Sequence, residues 1–187
     1  LVSDWSSDVC SSDLGYEGDM RAVGIYSIGG GLIKNVTVAG CTFKEVMTGY
    51  SEVLTITGAV RDFDVRNNTA FHNQTNPVFL AAGLNDAQGN GLLVMPDGSV
   101  VDGDPAGPGR FAHNTIYSNT DPNRGGIALY VNGARGIVIE HNAVFANHTG
   151  ISVMAENPTL VTQDVIVRHN IVHDQHGYGI VVGSGGE

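Results

Sequence analysis

Three loop stretches carry side chains able to move protons or grip an anion: Asp121-Pro-Asn-Arg124, His148, and Asp174-Gln-His176-Gly-Tyr178. Carboxylates and imidazoles serve as general acids or bases, and a guanidinium can hold a carboxylate. Each stretch stands just before a Gly-Ile pair, namely Gly126-Ile127, Gly150-Ile151 and Gly179-Ile180. If these pairs mark equivalent strands, the polar residues line one edge of a scaffold. Asp121, Arg124, His148, Asp174, His176 and Tyr178 are therefore the candidate catalytic residues. Tyr130 on a strand, and Glu156 beyond a strand end, are the candidate substrate contacts.

Two other groups have the right residue types for metal binding. His113, His141 and His169 recur at equivalent positions, with Asn67 in the same place one copy earlier. Imidazole is a common zinc ligand, but ligands must converge on one point at about 2 Å. Side chains rising in parallel at about 4.8 Å intervals do not converge. The expectation is a structural ladder. Asp97, Asp102 and Asp104 lie within eight residues and could wrap calcium, yet the spacing lacks the EF-hand order and its bidentate Glu. The sequence requires no cofactor, with calcium at Asp97, Asp102 and Asp104 as the one option. Glu140 and Arg168 occupy equivalent positions with Arg66 below them, which reads as a surface ion pair. Four Asn-x-Thr triplets, at Asn35, Asn67, Asn73 and Asn147, arise by themselves in an Asn-rich repeat.

What positions these residues is a repeat. Asn35–Cys41, Asp62–Asn68, Pro108–Asn114, Gly136–Asn142 and Asp164–Asn170 align, and the last copies stand 28 residues apart. Gly24-Ile25, Gly91-Leu92 and the three later Gly-Ile pairs form a second signal. Short alternating strands at a period in the twenties indicate a solenoid with one coil per repeat. Val36/Val38, Phe63/Val65, Ile137/Ile139 and Val165/Val167 should point inward. Asn68, Asn114, Asn142 and Asn170 should stack at the next turn, tolerating left-handed backbone and bonding one another through their amides. Asn73, Asn119 and Asn147 should form a second column. Phe43, Ala70, Ile116, Val144 and Val172 should face inward, and Lys44, Phe71, Tyr117, Phe145 and His173 outward. A longer insertion is expected near residues 81–109.

The balance of 9 Lys+Arg against 19 Asp+Glu gives a net charge of −10, which repels a phosphate backbone and argues against nucleic acid as a partner. No apolar run is long enough to span a bilayer as a helix. The 26 Gly speak for tight turns. Asp4-Trp-Ser-Ser-Asp-Val-Cys-Ser-Ser-Asp-Leu14 matches one translation frame of a common sequencing-library adapter, so residues 1–14 are expected to stand outside the fold, unstructured or loosely packed. They take three of the acidic residues and Cys10 with them, leaving Cys41 without a disulfide partner.

From about Gly15 onward, the frame Gly-Ile, Val-x-Val-x-x-Asn, then a short apolar strand and Asn resembles the right-handed parallel β-helix of the pectate-lyase-like superfamily. The resemblance implies an all-β, three-sheet solenoid of about five to six coils, here as an uncapped fragment whose open coil ends self-associate. In the last full coil the strands should fall near Ile151–Ala155, Val165–Arg168 and Ile171–His173. It also implies an extracellular or periplasmic place, and a polysaccharide or glycan partner. An acidic-polysaccharide lyase, a glycoside hydrolase or a C5-epimerase is the nearest enzymatic class. The competing reading is a non-catalytic surface, adhesion or maturation module. In the superfamily's enzymes the substrate groove usually lies on the first sheet. Counting from the Gly-Ile phase, its outward residues here are Tyr26, Leu93, Ala128, Ser152 and Val181, then Ile28, Met95, Tyr130, Met154 and Gly183. None of the ten is charged, and such a stripe is suited to being covered. Asp121-Pro122 is similar to the start of the Asp-Pro-His motif of alginate epimerases, but Asn123 replaces the His.

Overall fold

The computed structural model describes residues 21–27, 32–48, 51–83, 105–120, 125–156 and 161–183, and the backbone alone at 4–5, 92–94 and 100–102. Three parallel sheets run along one axis, each adding a strand per coil. The first sheet stacks Val23–Ser27, Leu54–Gly58, Phe79–Ala82, Ile127–Asn132, Thr149–Met154 and Ile180–Val182. The second stacks Thr37–Ala39, Phe63–Arg66, Gly109–Ala112, Ile137–Glu140 and Ile166–Arg168, with Asp4–Trp5 paired at its lower edge to Thr37 and Val38. The third stacks Thr42–Lys44, Thr69–Phe71, Thr115–Tyr117, Ala143–Phe145 and Ile171–His173. Strands of three to six residues suffice because each interior strand pairs with the coil above and the coil below. Asp4 and Trp5, the described residues of the adapter-like segment, thus pair with this frame, whereas the sequence predicts the segment to stand outside it.

Alternation fixes which face is inside. Val38, Val65, Phe111 and Ile139 lie in one in-register inward column of the second sheet, and Phe43, Ala70, Ile116 and Val144 in that of the third. All eight belong to one continuous core. Gly109 takes the place of a large inward residue because a Cβ there would lie 2.2 Å from the Phe63 ring. That ring fills the coil below and meets Phe111 edge-on, with centroids 5.7 Å apart.

Two side-chain ladders pin the bends. Each ladder Asn places its Oδ1 over the preceding coil. Asn68 Oδ1 accepts from the Cys41 backbone N–H, Asn114 Oδ1 from Asn68, Asn142 Oδ1 from Asn114, and Asn170 Oδ1 from Asn142. Each Nδ2 also donates to a main-chain carbonyl of the preceding coil, as Asn142 does to Phe111 at 3.0 Å. The second ladder runs from the Val46 N–H through Asn73, Asn119 and Asn147 to Gln175.

The left-handed residues are not the ladder asparagines. They are the residues just before them: Asn67, His113, His141 and His169, all with φ between 54° and 56°. The side chain that turns the corner and the side chain that fills it are adjacent but distinct. A polar residue tolerates the positive φ, which frees the next Asn to enter the interior in ordinary geometry. The second bend repeats the left-handed corner with Glu45, His72, Ser118 and Asp174, and with the small residue Ala146.

The first sheet is where the sequence pattern misplaces strands. Leu92–Val94 pairs antiparallel with Val100–Asp102, so Gly91-Leu92 marks no coil. Leu54–Gly58 and Phe79–Ala82, which lack any Gly-Ile pair, are the strands of that region. Gly126-Ile127 lies opposite His148-Thr149 rather than Gly150-Ile151. The insertion is also narrower than 81–109: Ala81 and Ala82 belong to the first sheet, Gly109 to the second, and Gly83 bridges antiparallel to Pro105.

Candidate functional site

The outward positions of the first sheet follow from the register. One column runs Gly24, Thr55, Leu80, Tyr130, Ser152 and Val181, and the other Tyr26, Thr57, Ala82, Asn132 and Met154. Five of the ten residues expected from the Gly-Ile phase, Tyr26, Tyr130, Ser152, Met154 and Val181, stand on these columns. Ala128 is instead in the core, and Thr55, Thr57, Leu80 and Ala82 come from the unmarked strands. None of the eleven is charged. The face is also shut: Leu80, Ala82 and Tyr130 are at most 7% exposed and form a second apolar cluster with Ile127 and Met154. Tyr130 is thus packed rather than presented.

Charged groups sit at the border where the chain enters this sheet. Arg21 and Glu52 hold equivalent places in successive coils, because Val23 pairs with Leu54. Glu52 Oε2 accepts from Arg21 Nε at 2.7 Å, Thr55 Oγ1 at 2.7 Å and Ser51 Oγ at 3.0 Å. The Arg21 guanidinium lies 5.5 Å from the Tyr26 ring centre, a cation–π arrangement. Burial pushes the Tyr26 hydroxyl above its ordinary value, against the opposing pull of Arg21. Sequence reasoning missed Glu52 and Thr55 because their coil carries no Gly-Ile mark, and missed Arg21, which stands three residues before Gly24-Ile25, because the polar residues singled out stood before the later pairs alone. The usable signal was the opposite charges two residues ahead of Val23 and Leu54.

The same border farther up carries His148, His176 and Tyr178. The His148 ring lies between two glycines of neighbouring coils: a Cβ at Gly125 or Gly177 would come within 2.5 Å or 2.8 Å of it. Its Nδ1 is 3.3 Å from Thr149 Oγ1. His176 and Tyr178 are exposed. Three coils separate His148 from Glu52, about 14 Å along the axis, so the two groups cannot act on one atom. Asp174 occupies the left-handed corner of its coil, its carboxylate 2.8 Å from His173 Nδ1. Gln175, between two candidate residues, is the top rung of the second ladder. Glu156 bonds Asn132 at the opposite end of the strands, through Oε2 at 2.9 Å and its backbone N–H at 3.1 Å. Asp121, Arg124, Asp97 and Asp104 lie outside the described residues, and Asp102 is described in its backbone alone.

The remaining constellations are built into the outer walls. His113, His141 and His169 stack with centroids 5.0 Å apart, and no group of three His, Cys, Asp or Glu among the described residues converges on a metal position. Phe71, Tyr117, Phe145 and His173 stack at 5.0–5.2 Å on the third sheet. Rings stacked face to face offer only edges to a ligand, whereas a sugar packs on an open face. On the second sheet, Asp64 binds Arg66 and Arg110, and Glu140 binds Arg168 at 2.8 Å with Arg110 farther off at 3.8 Å. The hydrogen bond from Arg168 holds the Glu140 carboxyl below the usual carboxylate value, helped by the charges of Arg168, His141 and Arg110.

Nothing matches the chain among curated proteins or among solved structures. A family model does: that of the right-handed β-helix region matches residues 16–187. A right-handed β-helix is the coiled, parallel-sheet architecture described above. The chain therefore belongs to the right-handed β-helix family.

Proposed function

We propose that the chain is a carbohydrate-recognising β-helix domain whose described residues bind a polymer rather than cut it, in an extracellular or periplasmic setting. The observation that carries this reading is the spread of polar side chains along the border of the first sheet. Arg21, Glu52 and Tyr26 stand at its lower coils, and His148, His176 and Tyr178 at its upper coils. An extended ligand lying along the axis reaches both groups. Acid–base chemistry on one bond needs its groups within hydrogen-bond reach of the reacting atoms, and these groups are coils apart. The net charge of −10 favours a neutral glycan over an acidic one. Lyase, hydrolase or epimerase activity would fall to Asp121 and Arg124.

The length dependence of binding tests this. Affinity for a neutral oligosaccharide series should rise with chain length until the ligand spans both groups. Arg21→Ala and His148→Ala should each weaken the long ligand more than the short one. Equal affinity for short and long ligands would contradict the reading. The closed face formed by Leu80, Ala82 and Tyr130 favours a second reading, a non-catalytic surface or maturation module. Absence of binding across the glycan series would select it.

A further inference from the structure

The four Asn-x-Thr triplets fall into two physical classes. Asn35 and Asn67 are exposed at left-handed corners, with φ 57° and 56°. Asn73 and Asn147 are at most 1% exposed, and their side-chain nitrogens are ladder donors. Asn73 Nδ2 bonds Asn119 Oδ1 at 2.7 Å and Phe43 O at 3.2 Å, while Asn147 Nδ2 bonds Ile116 O and Phe145 O at 3.1 Å each.

We infer that Asn35 and Asn67 are surface sites able to carry an N-linked glycan, whereas a glycan at Asn73 or Asn147 excludes the fold. The reaction is glycosyl transfer from a lipid pyrophosphate-linked oligosaccharide by an oligosaccharyltransferase. A bond forms between Asn Nδ2 and the sugar's C1, the C1–O bond to pyrophosphate breaks, and the lipid pyrophosphate leaves with the electron pair. Nδ2 gives up one proton. At Asn73 or Asn147 the modified nitrogen keeps a single hydrogen for two acceptors and brings a bulky polar group into a closed interior. At Asn35 and Asn67 the glycan projects into solvent. Because this transfer meets the chain before folding, every triplet modified in the ladder is a chain lost to the folded pool.

Cell-free synthesis of the full chain behind a secretion leader, with glycosylating microsomes, tests the inference. Folded chains are isolated by resistance to protease. Enzymatic removal of glycans in heavy-oxygen water then labels each formerly occupied Asn for mass spectrometry. The folded fraction should carry label at Asn35 and Asn67 and none at Asn73 or Asn147, with the ladder labels confined to the protease-sensitive fraction. A double variant, Asn73→Gln with Asn147→Gln, removes both ladder triplets, and Gln175 already serves as a rung. It should raise the folded yield in microsomes to that of synthesis without them, with glycans on Asn35 and Asn67. Protease-resistant chains labelled at Asn73 or Asn147 would overturn the inference, as would a folded double variant bare at Asn35 and Asn67.

Discussion

Asn142 is held by the coil on either side: its Oδ1 accepts from the Asn114 N–H and Nδ2, and its own Nδ2 reaches Phe111 O, Glu140 O and Asn170 Oδ1. Asn142→Leu strands two buried donors of Asn114 and should cost at least about 2 kcal/mol. Glu140→Gln, on the outer wall, should cost less, and denaturant midpoints give the order. The neighbouring corner sets a different demand. His141 has φ 55°, and Asn67 fills the same corner two coils below. His141→Asn should therefore change stability by less than about 0.5 kcal/mol, while His141→Val should cost about 1–2 kcal/mol because a β-branched residue resists left-handed backbone. Equal effects in thermal unfolding would contradict this assignment. The ladder positions were legible in the sequence because Asn recurs at a fixed offset from the strand. The corner was assigned one residue too late, since Asn suits both roles and pattern alone does not separate them.

At the level of the sheets, the second and third were readable and the first only in part: Gly150-Ile151 and Gly179-Ile180 do mark strands paired in register, but two of its lower coils carry no such mark. Val-x-Val before Asn fixes the second sheet, and the apolar residue after Asn fixes the third. The first sheet has two strands whose outward as well as inward residues are buried: Phe79–Ala82 is apolar on both faces, so no alternation marks it, and Leu54–Gly58 alternates Leu-Thr-Ile-Thr but carries no Gly-Ile pair. The missing pair hid Glu52 and Thr55, and with them half of the candidate site. The second sheet's ion pairs give a pH signature. Glu140 is held below its ordinary value in the folded chain, so its contribution is present above the unfolded carboxylate value. That contribution fades as pH falls through the lower folded one. The melting-temperature difference between wild type and Glu140→Gln should thus be constant near neutrality and shrink below about pH 4.5. A difference that grows on acidification would place the stabilising group elsewhere.

For the molecule as a whole, the core is closed by stacking, and among the described residues no strand stacks above Ile166–Arg168, Ile171–His173 and Ile180–Val182. Ile171, Ile180 and Val182 are 64%, 52% and 75% exposed there, beside strand edges that pair on one side only. Edges of this kind recruit other chains, so the 187-residue chain should self-associate as its concentration rises despite its net charge. Sedimentation velocity across a wide concentration range checks this, and a strictly monomeric species would contradict it. The same stacking disperses the polar groups of the first-sheet border over several coils, and on that dispersal rests the proposal of recognition without bond cleavage. The most direct measurement follows the chain with a neutral polysaccharide over time, recording bound polymer, new reducing ends and unsaturated products together. Retention of polymer that Arg21→Ala weakens, with no new ends or unsaturation, is expected. Accumulation of either product by a chain carrying Asp121→Asn with Arg124→Ala, where cleavage would fall to the described residues, would contradict the account.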